Sequence, residues 1–315
     1  MPIHIDAQWS IPHAMSALAE CSAITVTTSG STGVAKDITI SRSALVASAL
    51  ASNERINARK GATWSLLLPL THVAGINVLM RAGMLGTTPI DLRIEKNYSD
   101  VDFTAIVPTQ LHRALTGDDK LLAHLQAAQC VLVGGAPLIA QERLRAEKAG
   151  IRLVTTYGMT ETCGGCIYDG EALTGVEFKV MDSIIYLRGT TLAEVPLIDG
   201  WFQTSDFGRV ENNRLIVDGR RDDQIISGGE KISLSTIENA LQSYFSSEFA
   251  AYSRQDGEWG EMLCVAKVSD IDDGLISKFL KDTFGTHASP KKIVKVNTIP
   301  LIGIGKPDRK KLSEE

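Results

Sequence analysis

The sequence lacks the features that mark membrane-spanning, secreted or nucleic-acid-binding chains. It has no uninterrupted apolar run of about 18 residues, which argues against a transmembrane helix. Its first residues, MPIHIDAQWS, have neither the basic head nor the apolar middle of a secretory signal. The 32 basic residues are dispersed among 37 acidic ones, giving a net charge of −5 and no basic face for nucleic acid. We therefore expect a cytoplasmic protein with no membrane span and no nucleic-acid partner.

Cysteine is also scarce. Five cysteines are an odd number, in a chain too long to need disulfides for stability. Cys163 and Cys166 form a C-x-x-C pair, but no second ligand pair accompanies it, so we expect a reduced pair in a glycine-rich turn rather than a zinc site. Cys130 and Cys264 lie in apolar stretches and are predicted to be in the core.

The 315 residues suffice for two domains, and no repeat or low-complexity tract interrupts them. Up to about Asp218, short apolar runs alternate with amphipathic segments, which favours an α/β architecture with substantial parallel pairing. Strands are predicted at 22–28, 64–70, 103–108, 129–135 and 152–158, and helices at 41–57, 73–85, 109–117 and 139–150. After Asp218 the pattern of hairpins, strand and two helices predicts a small α+β domain, with the charged segment 219–223 as a hinge.

Glycine-rich segments follow three of the predicted strands, at 29–33, 134–136 and 157–165. Ligands of open α/β sheets bind where loops leave the carboxyl ends of strands. The loop Ser29–Lys36 offers backbone N–H groups, hydroxyls and one lysine to an anion, although it is not a Walker A loop. A plain Ser/Gly turn is the other interpretation of this loop.

Further segments carry groups that suit a nucleotide. Tyr157–Glu161 offers an aromatic face, a hydroxyl and a carboxylate that can hold Mg²⁺. Asp206 lies in a turn after Trp201 and suits a ribose diol, and 219–223 follows soon after. Near the end, Lys306 lies on a glycine-rich turn.

In this order, these segments resemble the adenylate-forming superfamily of acyl-CoA synthetases, adenylation domains and luciferases. The resemblance covers about Ile24 to Leu312. It implies activation of a carboxylic acid with Mg·ATP to an acyl-adenylate, release of pyrophosphate and transfer of the acyl group to a thiol. It also implies an ATP- and acid-binding domain over 1–221 and a mobile domain over 222–315 that carries the catalytic lysine.

The resemblance implies roles for individual residues. The nucleotide-binding set is Thr28, Ser29, Gly30, Ser31, Thr32, Gly33 and Lys36 in and beside the phosphate loop, Gly134, Gly135 and Ala136 at the adenine with Tyr157 against the base, Thr156, Gly158 and Met159 around them, and Asp206 and Arg220 at the ribose. The catalytic set is Thr160 at the phosphates, Glu161 on Mg²⁺, Lys306 at the reacting carboxylate, and His72. Asp222 matches the hinge, and Ser227–Ile232 matches the loop that lines the thiol tunnel.

The segment LPLTHVAGINVLMRAGML, with Pro69, His72, Gly75 and Arg81, resembles the o-succinylbenzoate–CoA ligases of menaquinone synthesis. So does TYGMTETCGGCIYDG, which is similar to the short actinobacterial members. Their acid carries two carboxylates, one activated and one in need of a cation. Arg81 is the candidate cation, since guanidinium suits a carboxylate. The substrate-binding set is His72, Arg81, Gly135, Gly158 and Thr160.

Several alternatives stay open at this point. Arg81 could be an exposed helix residue, and His72 a packed residue at a helix start. Only 28 residues precede the phosphate loop, fewer than in common superfamily members, so the acyl pocket has thinner walls or is covered by a second copy in a homodimer. The alternative functions are another aryl- or acyl-CoA ligase, an adenylating enzyme that passes the acid to a carrier protein, and a non-catalytic nucleotide-binding relative.

Overall fold

The structure, a computed structural model, describes residues 2–29, 35–94, 98–227, 229–245, 247–256, 260–302 and 306–314. Packing divides the chain into two units. Unit 1 consists of Met1–Leu138, Glu142–Thr204 and Val210–Ile216. Unit 2 consists of Ile139–Gln141, Ser205–Arg209 and Val217–Glu315.

Unit 1 begins with two serine-capped helices that flank a hairpin. The Ser10 Oγ accepts from the His13 amide at 3.4 Å, and the Ser41 Oγ accepts from the Ala44 amide at 3.2 Å, so each serine satisfies one free N–H of the first helical turn. The elements are α1 (Ile11–Glu20), β1 (Ala23–Ser29), β2 (Ala35–Ser41) and α2 (Arg42–Arg55). β1 pairs with β2 in antiparallel register rather than joining a parallel sheet, because the link between them is too short for a crossover.

The main sheet of unit 1 has the order β4-β3-β5-β6-β7-β8-β9. Its strands are β3 (Trp64–Leu66), β4 (Ile90–Asp91), β5 (Phe103–Ile106), β6 (Cys130–Val133), β7 (Leu153–Met159), β8 (Gly164–Tyr168) and β9 (Glu171–Ala172). Neighbours from β4 to β7 are parallel, whereas β8 and β9 are added in antiparallel register. The adjacent strands β3, β5 and β6 are buried on both faces, which explains their continuous apolar runs.

Helices connect these strands. They are α3 (Val73–Met84), α4 (Pro108–Thr116), α5 (Asp119–Ala127) and α6 (Ala140–Lys148). Pro108 opens α4, where its missing N–H has no helical partner to lose, and Gly117 follows its end at φ 147°. α3 differs from the others because most of its residues are buried, including polar ones.

A four-stranded sheet of order β10-β11-β12-β13 follows along the chain. Its strands are β10 (Val176–Met181), β11 (Ile184–Gly189), β12 (Phe202–Glu211) and β13 (Arg214–Arg220). Two-residue turns with positive φ at both positions join β10 to β11, at Asp182 and Ser183, and β12 to β13, at Asn212 and Asn213. Such turns match the twist of hairpin strands.

Unit 2 contains the sheet β15-β14-β17-β16, with β18 parallel to β17. Its elements are a 3₁₀ turn (Arg221–Asp223), β14 (Gln224–Ser227), β15 (Glu230–Ser233), α7 (Leu234–Phe245), β16 (Phe249–Asp256), β17 (Gly260–Lys267), α8 (Asp273–Phe284), a second 3₁₀ turn (Thr286–Ala288), β18 (Lys292–Lys295), β19 (Leu301–Ile302), β20 (Lys306–Pro307) and α9 (Arg309–Glu314). Alternation along β17 sends Leu263 and Val265 into the core under α7 and α8, and Cys264 to the face that packs Leu312 of α9.

The predicted α/β architecture is confirmed. The predicted strands at 64–70, 103–108, 129–135 and 152–158 contain β3, β5 and β6 and most of β7, and the four predicted helices correspond to α2, α3, α4 and α6. All five cysteines are free and buried, which confirms the core positions predicted for Cys130 and Cys264. Cys166 lies in β8 rather than in the predicted glycine-rich turn. Within the described ranges, no helix has the length and apolar character needed to cross a membrane.

Candidate active site

The carboxyl ends of β3, β5, β6 and β7 meet at one edge of the unit 1 sheet, because these strands are parallel. The segments that leave this edge carry His72, Gly134–Ala136 and Tyr157–Glu161. Gln110 ties two of the exits together, since its side chain accepts from the Val107 amide at 3.0 Å and donates to the Leu67 carbonyl at 3.1 Å. The structure thus brings together the segments that were predicted to surround the base and phosphates.

Two glycines at this edge are required by close packing. A Cβ on Gly134 would lie 2.2 Å from the Thr156 Oγ1, and one on Gly158 would lie 2.0 Å from the Gly164 carbonyl oxygen. Gly135 adopts φ 85°, which favours glycine. The exits of β6 and β7 therefore expose backbone where a flat ring could approach closely.

Thr160 and Glu161 lie in a 3₁₀ turn (Thr160–Thr162) directly after β7. The buried Thr162 Oγ1 accepts from the Met159 amide at 2.9 Å and lies 2.8 Å from the Gly164 carbonyl oxygen, which closes the turn on itself. The Ala193 amide donates to the Glu161 carbonyl at 2.9 Å. The backbone of this turn is therefore fixed, while both candidate side chains keep partial exposure.

Glu161 suits Mg²⁺ by the chemistry of its carboxylate, with the Thr160 hydroxyl next to it. Among the described residues, no group of three His, Cys, Asp or Glu side chains is close enough to hold a metal alone.

The β1–β2 hairpin presents the ends of the predicted phosphate loop. Thr28 lies opposite Lys36, whose carbonyl accepts from the Thr28 Oγ1 at 3.2 Å, and Ser29 lies opposite Ala35. Lys36 is exposed. The Glu194 amide donates to the Thr39 carbonyl of β2 at 2.9 Å. The preceding residue, Ala193, bonds to the Glu161 carbonyl, so one short segment contacts both the hairpin and the turn. The predicted members Gly30, Ser31, Thr32 and Gly33 lie outside the described residues.

His72 precedes α3 and is half-buried. Burial lowers its pKa, so the imidazole is neutral at pH 7. Its side chain caps no helical N–H of α3. A Cβ on Gly75 would lie 2.2 Å from the Pro69 carbonyl oxygen, so α3 starts in close contact with the exit of β3.

Arg81 is buried in unit 1, with 4% of its surface exposed, so the alternative of an exposed helix residue is wrong. Its guanidinium lies over the Trp64 ring, 5.4 Å from the centroid, and its Nη2 donates to the Tyr168 hydroxyl at 3.2 Å. Among the described residues, no carboxylate lies within 4.0 Å of it. The Arg81 Nε and the Trp64 Nε1 are buried donors for which the described chain supplies no acceptor.

Unit 2 holds the other candidates. The Arg220 Nε lies 3.4 Å from the Asp206 Oδ1, so the two residues predicted at the ribose are neighbours on β13 and β12. Asp222 lies in the 3₁₀ turn Arg221–Asp223, and Lys306 opens β20 opposite Ile302. The hairpin β14–β15 contains the predicted tunnel loop, with Gly229 at φ 85°.

Several polar residues that the structure places around these candidates were missed at the sequence level. They are Ser48, Ser52 and Asn53 on α2, Asn77 on α3 and Tyr168 on β8. Tyr168 joins Arg81 to the Ser52 hydroxyl, which lies 2.7 Å away. Of these residues, only Asn77 carried a sequence signal. It lies one helical turn before Arg81 in a helix whose other residues are apolar, so the two polar side chains were predictable on one face.

Comparisons with known proteins show the family of this chain. The AMP-binding enzyme family matches residues 9–191. A probable 2-succinylbenzoate–CoA ligase of Mycobacterium tuberculosis is 33% identical over 321 residues, covering 91% of this chain and 82% of the relative.

Solved structures share the fold. An Escherichia coli MenE variant with bound OSB-AMS is 25% identical with a TM-score of 0.81, covering 98% of this chain and 70% of that one. Bacillus subtilis o-succinylbenzoate CoA synthetase has been solved with the acyl-adenylate OSB-AMP and with ATP and magnesium, and these chains are 22% identical, with TM-scores of 0.79 and 0.78, covering 94% of this chain and 70% of theirs. The chain belongs to the AMP-binding enzyme family.

Proposed function

We propose that this protein is an AMP-forming acid–thiol ligase that converts o-succinylbenzoate, ATP and CoA to o-succinylbenzoyl-CoA, AMP and pyrophosphate, a step of menaquinone synthesis. The observation that carries the choice of acid is the buried Arg81, a cation whose site holds two unpaired donors. The name of the Mycobacterium tuberculosis relative, which matches 91% of this chain, supports the same reaction.

A guanidinium that is buried without an anion is costly, because it has lost much of its hydration and gained no charged partner. The aromatic face of Trp64 and the Tyr168 hydroxyl compensate only part of this loss. A substrate carboxylate would supply the missing charge and accept from the Arg81 Nε and the Trp64 Nε1. We assign to Arg81 the carboxylate of o-succinylbenzoate that is not activated, with His72 as a neutral wall of the acyl pocket.

ATP binds, in this proposal, at the carboxyl edge of the unit 1 sheet. The segment Ser29–Lys36 contacts the β- and γ-phosphates, Gly134–Ala136 and Tyr157 hold the adenine, and Thr160 contacts phosphate. Glu161 holds Mg²⁺, which would neutralise charge on the phosphates during attack. Asp206 and Arg220 bind the ribose.

Adenylation brings two anions together, a carboxylate and an α-phosphate, so a cation at the point of attack stabilises the transition state. Lys306 takes that role in the proposal. The same space is needed by the CoA thiol in the second half-reaction, so residues 222–315 rotate about Asp222 as a mobile domain over the domain 1–221. CoA reaches the adenylate along the Ser227–Ile232 loop.

The test compares acids by mass spectrometry. The protein is incubated with Mg·ATP and CoA, together with o-succinylbenzoate, benzoate, a medium-chain fatty acid or no acid. We expect the CoA thioester to form with o-succinylbenzoate far faster than with benzoate or the fatty acid, and not to form without acid. A preference for another acid would reject the dicarboxylate assignment, and adenylate without thioester would point to a carrier-protein acceptor. Absence of both AMP and thioester with every acid would reject the ligase.

Arg81→Ala tests the assignment of the carboxylate site. Truncating one partner of a buried charge pair costs about 2–5 kcal/mol, so kcat/KM for o-succinylbenzoate should fall roughly 30-fold or more. Residual turnover of benzoate, which has no second carboxylate, should change little. Thr104→Val is the control, since Thr104 is also buried in unit 1 and its Oγ1 accepts from the Ser65 Oγ within the sheet at 2.8 Å. Equal losses for both acids would place Arg81 outside the acid site.

A further inference from the structure

Cys163 has an unfavourable backbone conformation directly after the turn that carries Thr160 and Glu161. Its φ and ψ are 56° and 39°, in the left-handed region, although it is not glycine. Such a conformation costs a non-glycine residue roughly 1–2 kcal/mol. Contacts around Cys163 must therefore stabilise it.

The buried Asn77 supplies those contacts. Its Nδ2 donates to the Cys163 carbonyl at 2.6 Å, and the Cys163 thiol donates to its Oδ1 at 3.8 Å. The Ser48 Oγ donates to the same carbonyl at 3.2 Å. Asn77, Ser48 and Cys163 are at most 1% exposed, so water does not compete for these bonds.

Gly164 shows how closely Asn77 fits. It is also left-handed, at φ 84°, and a Cβ added to it would lie 2.5 Å from the Asn77 Nδ2. Two successive left-handed residues thus follow Thr162, and the Asn77 amide lies against both. The chain reverses from the turn into β8 at this point.

The far end of β8 is attached to the same helices. The Tyr168 hydroxyl accepts from the Arg81 Nη2 on α3 and lies 2.7 Å from the Ser52 Oγ on α2. Asn77 and Arg81 are one helical turn apart, so they lie on the same face of α3. Both ends of β8 therefore contact α3 through buried polar side chains.

We infer that Asn77 is a positioning residue for adenylation, because it holds the turn Thr160–Cys163 against α3 and so fixes where the Glu161 carboxylate and the Thr160 hydroxyl meet Mg·ATP. The inference rests on the proposed function for the roles of Glu161 and Thr160. It further implies that α3 links an acid bound at Arg81 to the turn that carries Glu161, since this one helix carries both Arg81 and Asn77.

Asn77→Leu tests this, since leucine keeps a similar side-chain size and removes both bonds. We expect kcat for adenylation to fall about 10- to 100-fold, the range for a lost buried hydrogen bond, and the Mg²⁺ concentration for half-maximal rate to rise. The KM for o-succinylbenzoate should change less than about threefold, since Arg81 and its contacts remain. Ser48→Ala, which removes the longer bond, should shift both quantities in the same direction by a smaller factor.

Alkylation of Cys163 under native conditions reports on the turn without any turnover. The Cys163 and Cys166 side chains are 0% and 1% exposed, so both thiols should react slowly with iodoacetamide. Asn77→Leu should speed alkylation of Cys163 at least about tenfold, because loss of the bond opens the turn locally. Thr104→Val loses a comparable buried bond elsewhere in unit 1 and should keep the wild-type alkylation rate and kcat.

Cys163→Gly in the Asn77→Leu background completes the test, because glycine adopts the left-handed conformation without help. Recovery of part of the lost kcat supports the inference. The inference would be overturned if Asn77→Leu kept the wild-type kcat and the wild-type alkylation rate of Cys163. It would also be overturned if the double variant had no higher kcat than Asn77→Leu. If the wild type formed no thioester with any acid, the proposed function would fail, while the alkylation contrast and Mg·ATP affinity by calorimetry would still decide whether Asn77 holds the turn.

Discussion

Replacing Arg309 by methionine should cost unit 2 about 3 kcal/mol of stability, because one guanidinium neutralises two carboxylates there. The Arg309 Nη1 lies 2.5 Å from the Asp223 Oδ1, and its Nη2 lies 3.1 Å from both oxygens of Glu238. Its Nε donates to the Ala251 carbonyl at 2.9 Å. The side chains of Arg309, Asp223 and Glu238 are 26%, 20% and 10% exposed, so these pairs are partly shielded from water.

The size of this loss should depend on pH in a defined direction. Burial raises the pKa of Glu238 to about 7, although Arg309 opposes that shift. Without Arg309 the folded-state pKa should rise further, while the unfolded value stays near 4.3. A carboxyl with a raised folded pKa contributes stability at low pH that is lost as pH rises through the folded pKa. The difference between wild type and Arg309→Met should therefore grow as pH increases above about 7.

Hydrogen exchange of the α7 and β16 amides measures the local opening free energy of unit 2. Lys278→Met is the control, since Lys278 and Asp282 form a pair in the same unit with 72% and 61% exposure, and such pairs contribute about 0.5 kcal/mol or less. A loss of opening free energy in Arg309→Met that is no larger than in Lys278→Met, or that shrinks as pH rises, would contradict the prediction.

Two further predictions concern unit 1. Gly75→Ala should lower the free energy of unfolding by about 1–3 kcal/mol, because the new Cβ would lie 2.2 Å from the Pro69 carbonyl oxygen. Gly83→Ala on the same helix should raise it by about 0.5–1 kcal/mol, because alanine favours helix and its Cβ would meet no atom closer than 3.5 Å. Thermal denaturation of the two variants compares these effects. Burial lowers the pKa of His124, so the stability it contributes is present above about pH 6.5 and is lost as pH falls. Urea denaturation at a series of pH values should therefore show that the free energy of unfolding falls less steeply below about pH 6.5 in His124→Gln than in the wild type.

Local signals made much of unit 1 predictable from sequence. Ser41 begins α2 by satisfying a helical N–H, and Pro108 and Gly117 bound α4, so each element start or stop is marked by its own residue. The buried strands read as apolar runs because both faces of a parallel sheet are covered. Glycines such as Gly134 marked strand exits where a side chain has no room.

Long-range contacts were not predictable in this way. α3 is buried on most sides, so its apolar pattern carried no sign of which face Arg81 would occupy, and exposure remained open. Asn77 and Cys163 are 86 residues apart, and no propensity links them. The Arg309 cluster likewise joins residues 71 and 86 positions apart. Each of these contacts exists only because the sheet topology brings the segments together.

The burial of α3 has a consequence for how an acid could influence catalysis. A helix that packs against β3, α2 and β8 cannot move alone, because interiors are close-packed and a shift of one side chain displaces its neighbours. Arg81 lacks an anionic partner among the described residues, and Asn77 holds the Glu161 turn, both from this one helix. A carboxylate that neutralises Arg81 would therefore stabilise the same packing that keeps Glu161 in place. Binding of the acid and Mg·ATP should then be mutually favourable, and by linkage the coupling measured from either ligand must be equal.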